Sequence, residues 1–145
     1  MNHPDKKIMQ KAINFGLKNK SVGAIIVKGN KIISKKSGTI FSKIHDSTGH
    51  SEINAIREAC KKLKTNDLSG CWIYTTYEPC PMCMSAICWA NMKGIVYGAN
   101  HEDKNKVWKW IISIPAKEII KKSEHKPKLI ENFMRNQAKE ILKLR

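Results

Sequence analysis

No stretch of this chain approaches the ~20 consecutive apolar residues that a membrane-spanning helix needs. Its first residues, Met1-Asn2-His3-Pro4-Asp5-Lys6-Lys7, lack the long apolar core of a secretory signal. Both absences point to a cytoplasmic protein with no membrane partner. The cysteines are Cys60, Cys71, Cys80, Cys83 and Cys88, an odd number that a disulfide framework would leave unpaired. In a cytoplasmic chain they suit metal binding or buried thiols. Arginine is scarce: Arg57, Arg135 and Arg145 are the only three among 27 basic residues. No internal repeat and no low-complexity linker interrupts the pattern.

What is present fits one soluble globular domain spanning residues 1–145. The composition is 41% hydrophobic and 27% charged. A chain of 145 residues can bury roughly two-thirds of its unfolded surface. The formal net charge is +15, carried almost wholly by lysine. Lysine is a point charge, whereas a dedicated reader of phosphate or bases usually employs the bidentate guanidinium fork. Isoleucine outnumbers valine 20 to 4, which indicates a broad compositional bias. Two readings of the charge therefore stay open: solvated lysines of that bias, or a surface that faces a polyanion such as nucleic acid.

Periodicity predicts a helix over 4–18, with Ile8, Ala12, Phe15 and Leu17 near one stripe. Residues 22–27 and 31–35, separated by Gly29-Asn30, form a predicted hairpin, its first strand buried on both faces and its second at an edge. A polar loop over 38–49 leads to a second helix starting near His50. Residues 71–76, aromatic and β-branched, form a strand that Pro79 ends. Pro81 suits the first position of a helix over 80–92 that is apolar nearly all round, hence buried centrally or against a partner subunit. A strand over 94–98, a further one over 128–130 and a closing helix over 131–144 complete the pattern, with no regular element assigned between 99 and 127.

Two short stretches carry chemistry: His50-Ser51-Glu52 and Pro79-Cys80-Pro81-Met82-Cys83. A helix of about 14 residues carries the chain ~20 Å away from His50, and the strand 71–76 brings it back by about the same distance. Cys80 can therefore arrive beside the imidazole. Cys80 and Cys83, three apart at a helix start, face one side, where the helix dipole favours thiolates. His50, Cys80 and Cys83 make three metal ligands of mixed nitrogen and sulfur type, leaving a fourth tetrahedral position to water, as catalytic zinc sites do. A fourth protein ligand, for instance His45, would instead make the site structural. Glu52, two residues from His50, is placed to take a proton from water and deliver it to a leaving group.

Together the two stretches resemble the signature of the zinc-dependent cytidine and deoxycytidylate deaminase superfamily, nearest its guanine deaminase and tRNA adenosine deaminase branches. The similarity runs from about Val22 to Gly98. It implies a three-layer α/β/α domain with a central, mostly parallel, five-stranded mixed sheet. It implies one zinc ion per subunit held by His50, Cys80 and Cys83, with Glu52 as the catalytic proton shuttle, and it implies a homodimer. The reaction is hydrolytic removal of the exocyclic amino group of a nucleobase, nucleoside or small nucleotide, guanine- or cytosine-type, as ammonia. A deaminase of tRNA or other nucleic acid, and a non-catalytic zinc-stabilised binding protein, are the alternatives. The chain departs from both branches at Thr39, where an asparagine usually hydrogen-bonds the base. Thr39, the Ser51 backbone N–H, Trp108 and Trp110 are the expected substrate contacts.

Overall fold

The computed structural model describes residues 2–145. Helix α1 (Lys6–Asn19) starts at Asp5, whose carboxylate accepts from the backbone N–H of Lys7 at 2.8 Å and of Ile8 at 3.4 Å. Such side-chain acceptors satisfy N–H groups that the first turn leaves free. Its buried stripe is Ile8, Met9, Ala12, Ile13 and Gly16. Leu17, expected on that stripe, is exposed.

Strands β1 (Gly23–Lys28) and β2 (Lys31–Ser37) form the hairpin, with Gly29 at φ +60° in the turn. Every residue of β1 but Lys28 is buried, and β2 is the outer strand, its Lys31, Lys35 and Lys36 exposed. Lysines on an edge oppose further pairing. Helix α2 (Ser51–Leu63) and strand β3 (Cys71–Tyr77) follow, then helix α3 (Pro81–Trp89) and strand β4 (Gly94–Ala99). After a 3₁₀ turn at His101–Asp103 come helix α4 (Ala116–Lys121), strand β5 (Lys128–Ile130) and helix α5 (Arg135–Leu142).

The five strands lie in the order β2-β1-β3-β4-β5. β1 is antiparallel to both neighbours, while β3, β4 and β5 pair in parallel. Four strands thus share one direction and β1 alone opposes them, which is the expected mixed sheet. Alternation along the strands sends side chains to two cores. Ile25, Val27, Trp72, Tyr74 and Val96 join α1 and α5 on one face. Ala24, Ile26, Ile73 and Ile95 join α2, α3 and α4 on the other. This is the three-layer α/β/α arrangement that the resemblance implies.

Two boundaries and one burial differ from the sequence pattern. The last helix starts at Arg135, not 131, because Asn132 and Met134 sit at φ +59° and +56°, outside the helical region. The helix over 80–92 stops at Trp89, since Asn91 at φ +58° turns the chain away. α3 is also less buried than its composition suggests: Cys83, Met84 and Ile87 face the core, whereas Trp89 is 87% exposed.

Candidate active site

Helices α2 and α3 begin at the same place. His50 is the N-cap residue of α2 and Cys80 that of α3, both with extended backbone, and neither side chain caps its own helix. An N-cap residue usually spends its side chain on the free N–H groups of the first turn. Here both side chains are free of that duty and face each other. Pro81 follows Cys80 at the first helical position, where its missing N–H costs nothing.

Cys80 Sγ and Cys83 Sγ each lie 3.5 Å from His50 Nδ1. Among the described residues, these three form the one group of metal-ligating side chains whose ligand atoms all fall within 4.8 Å of one another. A tetrahedral zinc with Zn–S near 2.3 Å and Zn–N near 2.0–2.1 Å sets nitrogen and sulfur about 3.6 Å apart. The spacing fits. Proton affinities agree with that fit. Without a cation, the hydrogen bond from Cys83 holds Cys80 down to about 4, with His50 adding to the effect. Cys83 is pushed up, first by the same hydrogen bond and then by burial. A cation beside two adjacent thiols favours loss of the proton that they share. His45, the candidate for a fourth protein ligand, stands outside the group, as do His101 and Cys88.

Glu52, in the first turn of α2, is 4% exposed. Burial, above all, raises its carboxyl beyond the ordinary carboxylate range, and the hydroxyl of Ser51, donating to Oε1, opposes that rise. A buried carboxyl with raised proton affinity is suited to accept a proton and give it back.

His50, Ser51, Glu52 and Cys80 line a cavity whose other walls include Tyr77 and Glu78 at the end of β3, Gly38 and Ile40 before α2, and Trp108, Lys109 and Trp110. The structure thus brings Ser51, Trp108 and Trp110 to the cavity. Ser51 is buried, its hydroxyl directed to Glu52. Trp108 is buried and meets Phe41 edge-on at 5.4 Å, while one face of Trp110 is covered by the His101 ring at 3.9 Å.

Thr39 is not among the lining residues. Its backbone N–H and its hydroxyl both donate to the Gly49 carbonyl, at 2.7 and 3.2 Å, and the Asn54 amide lies 3.4 Å from Thr39 Oγ1. A side chain at Gly49 would collide with that hydroxyl. Thr39, expected to touch substrate, pins the loop before His50 through these hydrogen bonds.

Glu78, the residue before the Pro79–Cys83 stretch, has a part that the sequence did not disclose. It is 6% exposed, and its two carboxylate oxygens accept the backbone N–H of His101 at 3.0 Å and of Ala116 at 2.9 Å. One side chain therefore holds both ends of the segment that carries Trp108, Lys109 and Trp110. Tyr77 adds a third tie, donating its hydroxyl to the Trp108 carbonyl at 2.6 Å. A carboxylate in an otherwise apolar stretch beside Cys80 was the signal available for Glu78; nothing local marks its partners.

Comparison with known proteins gives the same picture. A family model described as MafB19-like deaminase matches residues 3–139. The guanine deaminase of Bacillus subtilis is 46% identical over 81 residues, covering 56% of this chain and 51% of that protein. The chain thus spans about half the length of that relative. A tRNA-specific adenosine deaminase of Buchnera aphidicola is 37% identical over 123 residues, covering 83% of this chain and 76% of the relative. Among solved structures, one from work on A-to-I editing by tRNA:A34 deaminases superposes with a TM-score of 0.73 at 27% identity, covering 94% of this chain and 96% of that one.

Proposed function

The chain belongs to the MafB19-like deaminase family, and from that premise we propose that it is a zinc-dependent hydrolytic deaminase of a nucleobase, nucleoside or small nucleotide. The observation that carries this reading is the meeting of His50, Cys80 and Cys83, of which His50 and Cys80 line one cavity with the buried Glu52. His50, Cys80 and Cys83 would hold the metal. Bound zinc would lower the pKa of a water molecule towards neutrality.

Glu52 takes the proton that this water gives up. It passes one proton to the ring nitrogen next to the amino-bearing carbon. As the water oxygen bonds to that carbon, Glu52 takes the remaining hydroxyl proton and delivers it to the amino group, so that the C–N bond breaks, ammonia leaves and a carbonyl stands in its place. Ser51 holds the Glu52 carboxylate through Oε1, and the burial that raises its proton affinity lets one group serve as base and acid in turn. Trp108 and Trp110 form the apolar wall against which a flat ring lies. The test is ammonia release by zinc-loaded protein from guanine, adenine, cytosine and their nucleosides and nucleotides. Zinc binding without ammonia from any of them would overturn the assignment.

A second reading, deamination of a base within RNA, is favoured by Lys109, exposed between two tryptophans at the cavity in a chain of net charge +15. It requires binding to an RNA stem-loop that weakens steeply with salt; no binding at low salt removes it. A binding protein without catalysis is disfavoured by the three-ligand set, which leaves one position of a tetrahedral metal to water. We place the protein in the cytoplasm, where reducing conditions keep Cys80 and Cys83 from pairing. We further propose a homodimer formed through the α3 face that bears Trp89.

A further inference from the structure

Of the two tryptophans at the cavity, Trp110 keeps the larger accessible surface. Trp108 is buried with Phe41 against its ring, whereas Trp110 lines the cavity and is only half-buried. Its neighbours along the chain, Lys109 and Ile111, are exposed. The His101 ring covers one face of the indole, with centroids 3.9 Å apart and planes 9° from parallel. That face is closed to any ligand, so what Trp110 brings to the cavity is its remaining surface. Tyr77 meets the indole at 6.2 Å and a tilt of 54°, and among the described residues no second ring stacks on it. The stack is also held from behind. The His101 backbone N–H donates to Glu78 at 3.0 Å, and the same 3₁₀ turn carries Asp103, which accepts from the Asn100 N–H and from Arg135, both at 2.9 Å. Glu78 stands two residues before Cys80, so the imidazole is registered to the stretch that presents that thiol. A flat ring fixed in this way loses little freedom when a second flat ring settles on it.

We infer that Trp110 is the stacking platform for the substrate base and that His101 is a positioning residue that backs it, so that imidazole, indole and base form one stack of three rings. The inference rests on the deaminase reading for the identity of the ligand, but not on turnover. Stacking accepts any flat base, because every base has a π-face. Choice between bases therefore falls to other atoms of the cavity, and loss of the platform weakens every base that binds.

The experiment measures binding and ammonia release separately on the zinc-loaded full chain. Probes are adenine, cytosine, and the nucleosides and 5′-monophosphates of guanine, adenine and cytosine. Binding is read in the Glu52→Gln background, so that no probe is consumed. Trp110→Leu is expected to weaken binding about 5–150-fold, the range of one base–aromatic stack. The same change should abolish the upfield ring-current shift of the bound base protons. His101→Ala is expected to weaken binding about 2–10-fold, and His101→Phe, which keeps a flat ring, to restore it. In a Trp110→Leu chain, His101→Ala should add nothing, since the two act through one stack. An equal effect of His101→Ala with and without Trp110, or no ring-current shift on binding, overturns the inference. Should His101→Ala not fold, Trp110→Leu and the shift decide by themselves. Binding with this pattern but no ammonia would sink the deaminase reading and leave the platform standing. Ammonia release with no dependence on Trp110 or His101 would do the reverse, and no binding of any probe would remove both.

Discussion

His50 and Cys80 occupy the same position on two different helices, each the N-cap residue, with Cys80 Sγ 3.5 Å from His50 Nδ1. Two helix starts are thereby pointed at one spot, and their dipoles add a positive field where two thiolates must sit. The consequence is a metal requirement shared by both helices. The purified protein is expected to hold one zinc per chain, and Cys83→Ser or His50→Ala to fall well below one by elemental analysis. Full zinc in either variant would show that the three do not act as a set.

Glu52 is outside that ligand set. Glu52→Gln keeps the size of the side chain but cannot take up and release a proton. Zinc content and far-ultraviolet circular dichroism should match the parent, while ammonia release falls on the order of 10²–10⁴-fold. Turnover near the parental rate would remove the assigned role.

Glu78 joins backbone positions 38 residues away in sequence to the end of β3 through Ala116. Glu78→Ala leaves two buried N–H groups without acceptors, at a cost of about 2–4 kcal/mol in unfolding free energy. Denaturant melts read that loss directly. The segment that it releases carries Trp108 and Trp110, so any folded variant should show KM raised more than kcat is lowered.

Asp103 ties the 3₁₀ turn to α5: Arg135 donates to both carboxylate oxygens, at 2.9 and 2.8 Å, and Lys139 lies 3.7 Å away. The Arg135 hydrogen bond, first among the causes, lowers the Asp103 pKa. A carboxyl with a lowered folded pKa adds stability that is complete above its unfolded value, about 3.9, and is lost as pH falls through the folded value. Arg135→Gln should therefore be less stable than the parent at pH 7, and the gap should close between about pH 4 and lower pH. A gap independent of pH in urea melts would mean that the pair is not coupled.

Trp89, 87% exposed at the end of α3, is an unusual place for a large indole. Sedimentation should find the parent dimeric and Trp89→Arg monomeric, with zinc retained. A monomeric parent would leave that face unpartnered.

The metal site was legible before any fold was known because few residue types do its work. Only His, Cys and carboxylates bind zinc well, and a C-x-x-C at a helix start, with a His-x-Glu at another, leaves little freedom. The strands were legible for a similar reason, since alternation and turn glycines are local. The end of α1's stripe, the late start of α5 and the exposure of Trp89 were not. They depend on left-handed residues such as Asn132 and Met134, and on which neighbours a helix meets.

By itself, the sequence marked out His50, Cys80, Cys83 and Glu52 as candidates, because few residue types suit such chemistry and their spacing is short, and the resemblance that these motifs carry supplied the reaction class and the mixed five-stranded sheet. Only the tertiary structure decided the pocket. Thr39 turned to Gly49, Glu78 became the clasp of a distant segment, and the Tyr77 hydroxyl took the Trp108 carbonyl. Each outcome is a long-range or loop hydrogen bond between groups whose separation in sequence carries no period from which to foresee it.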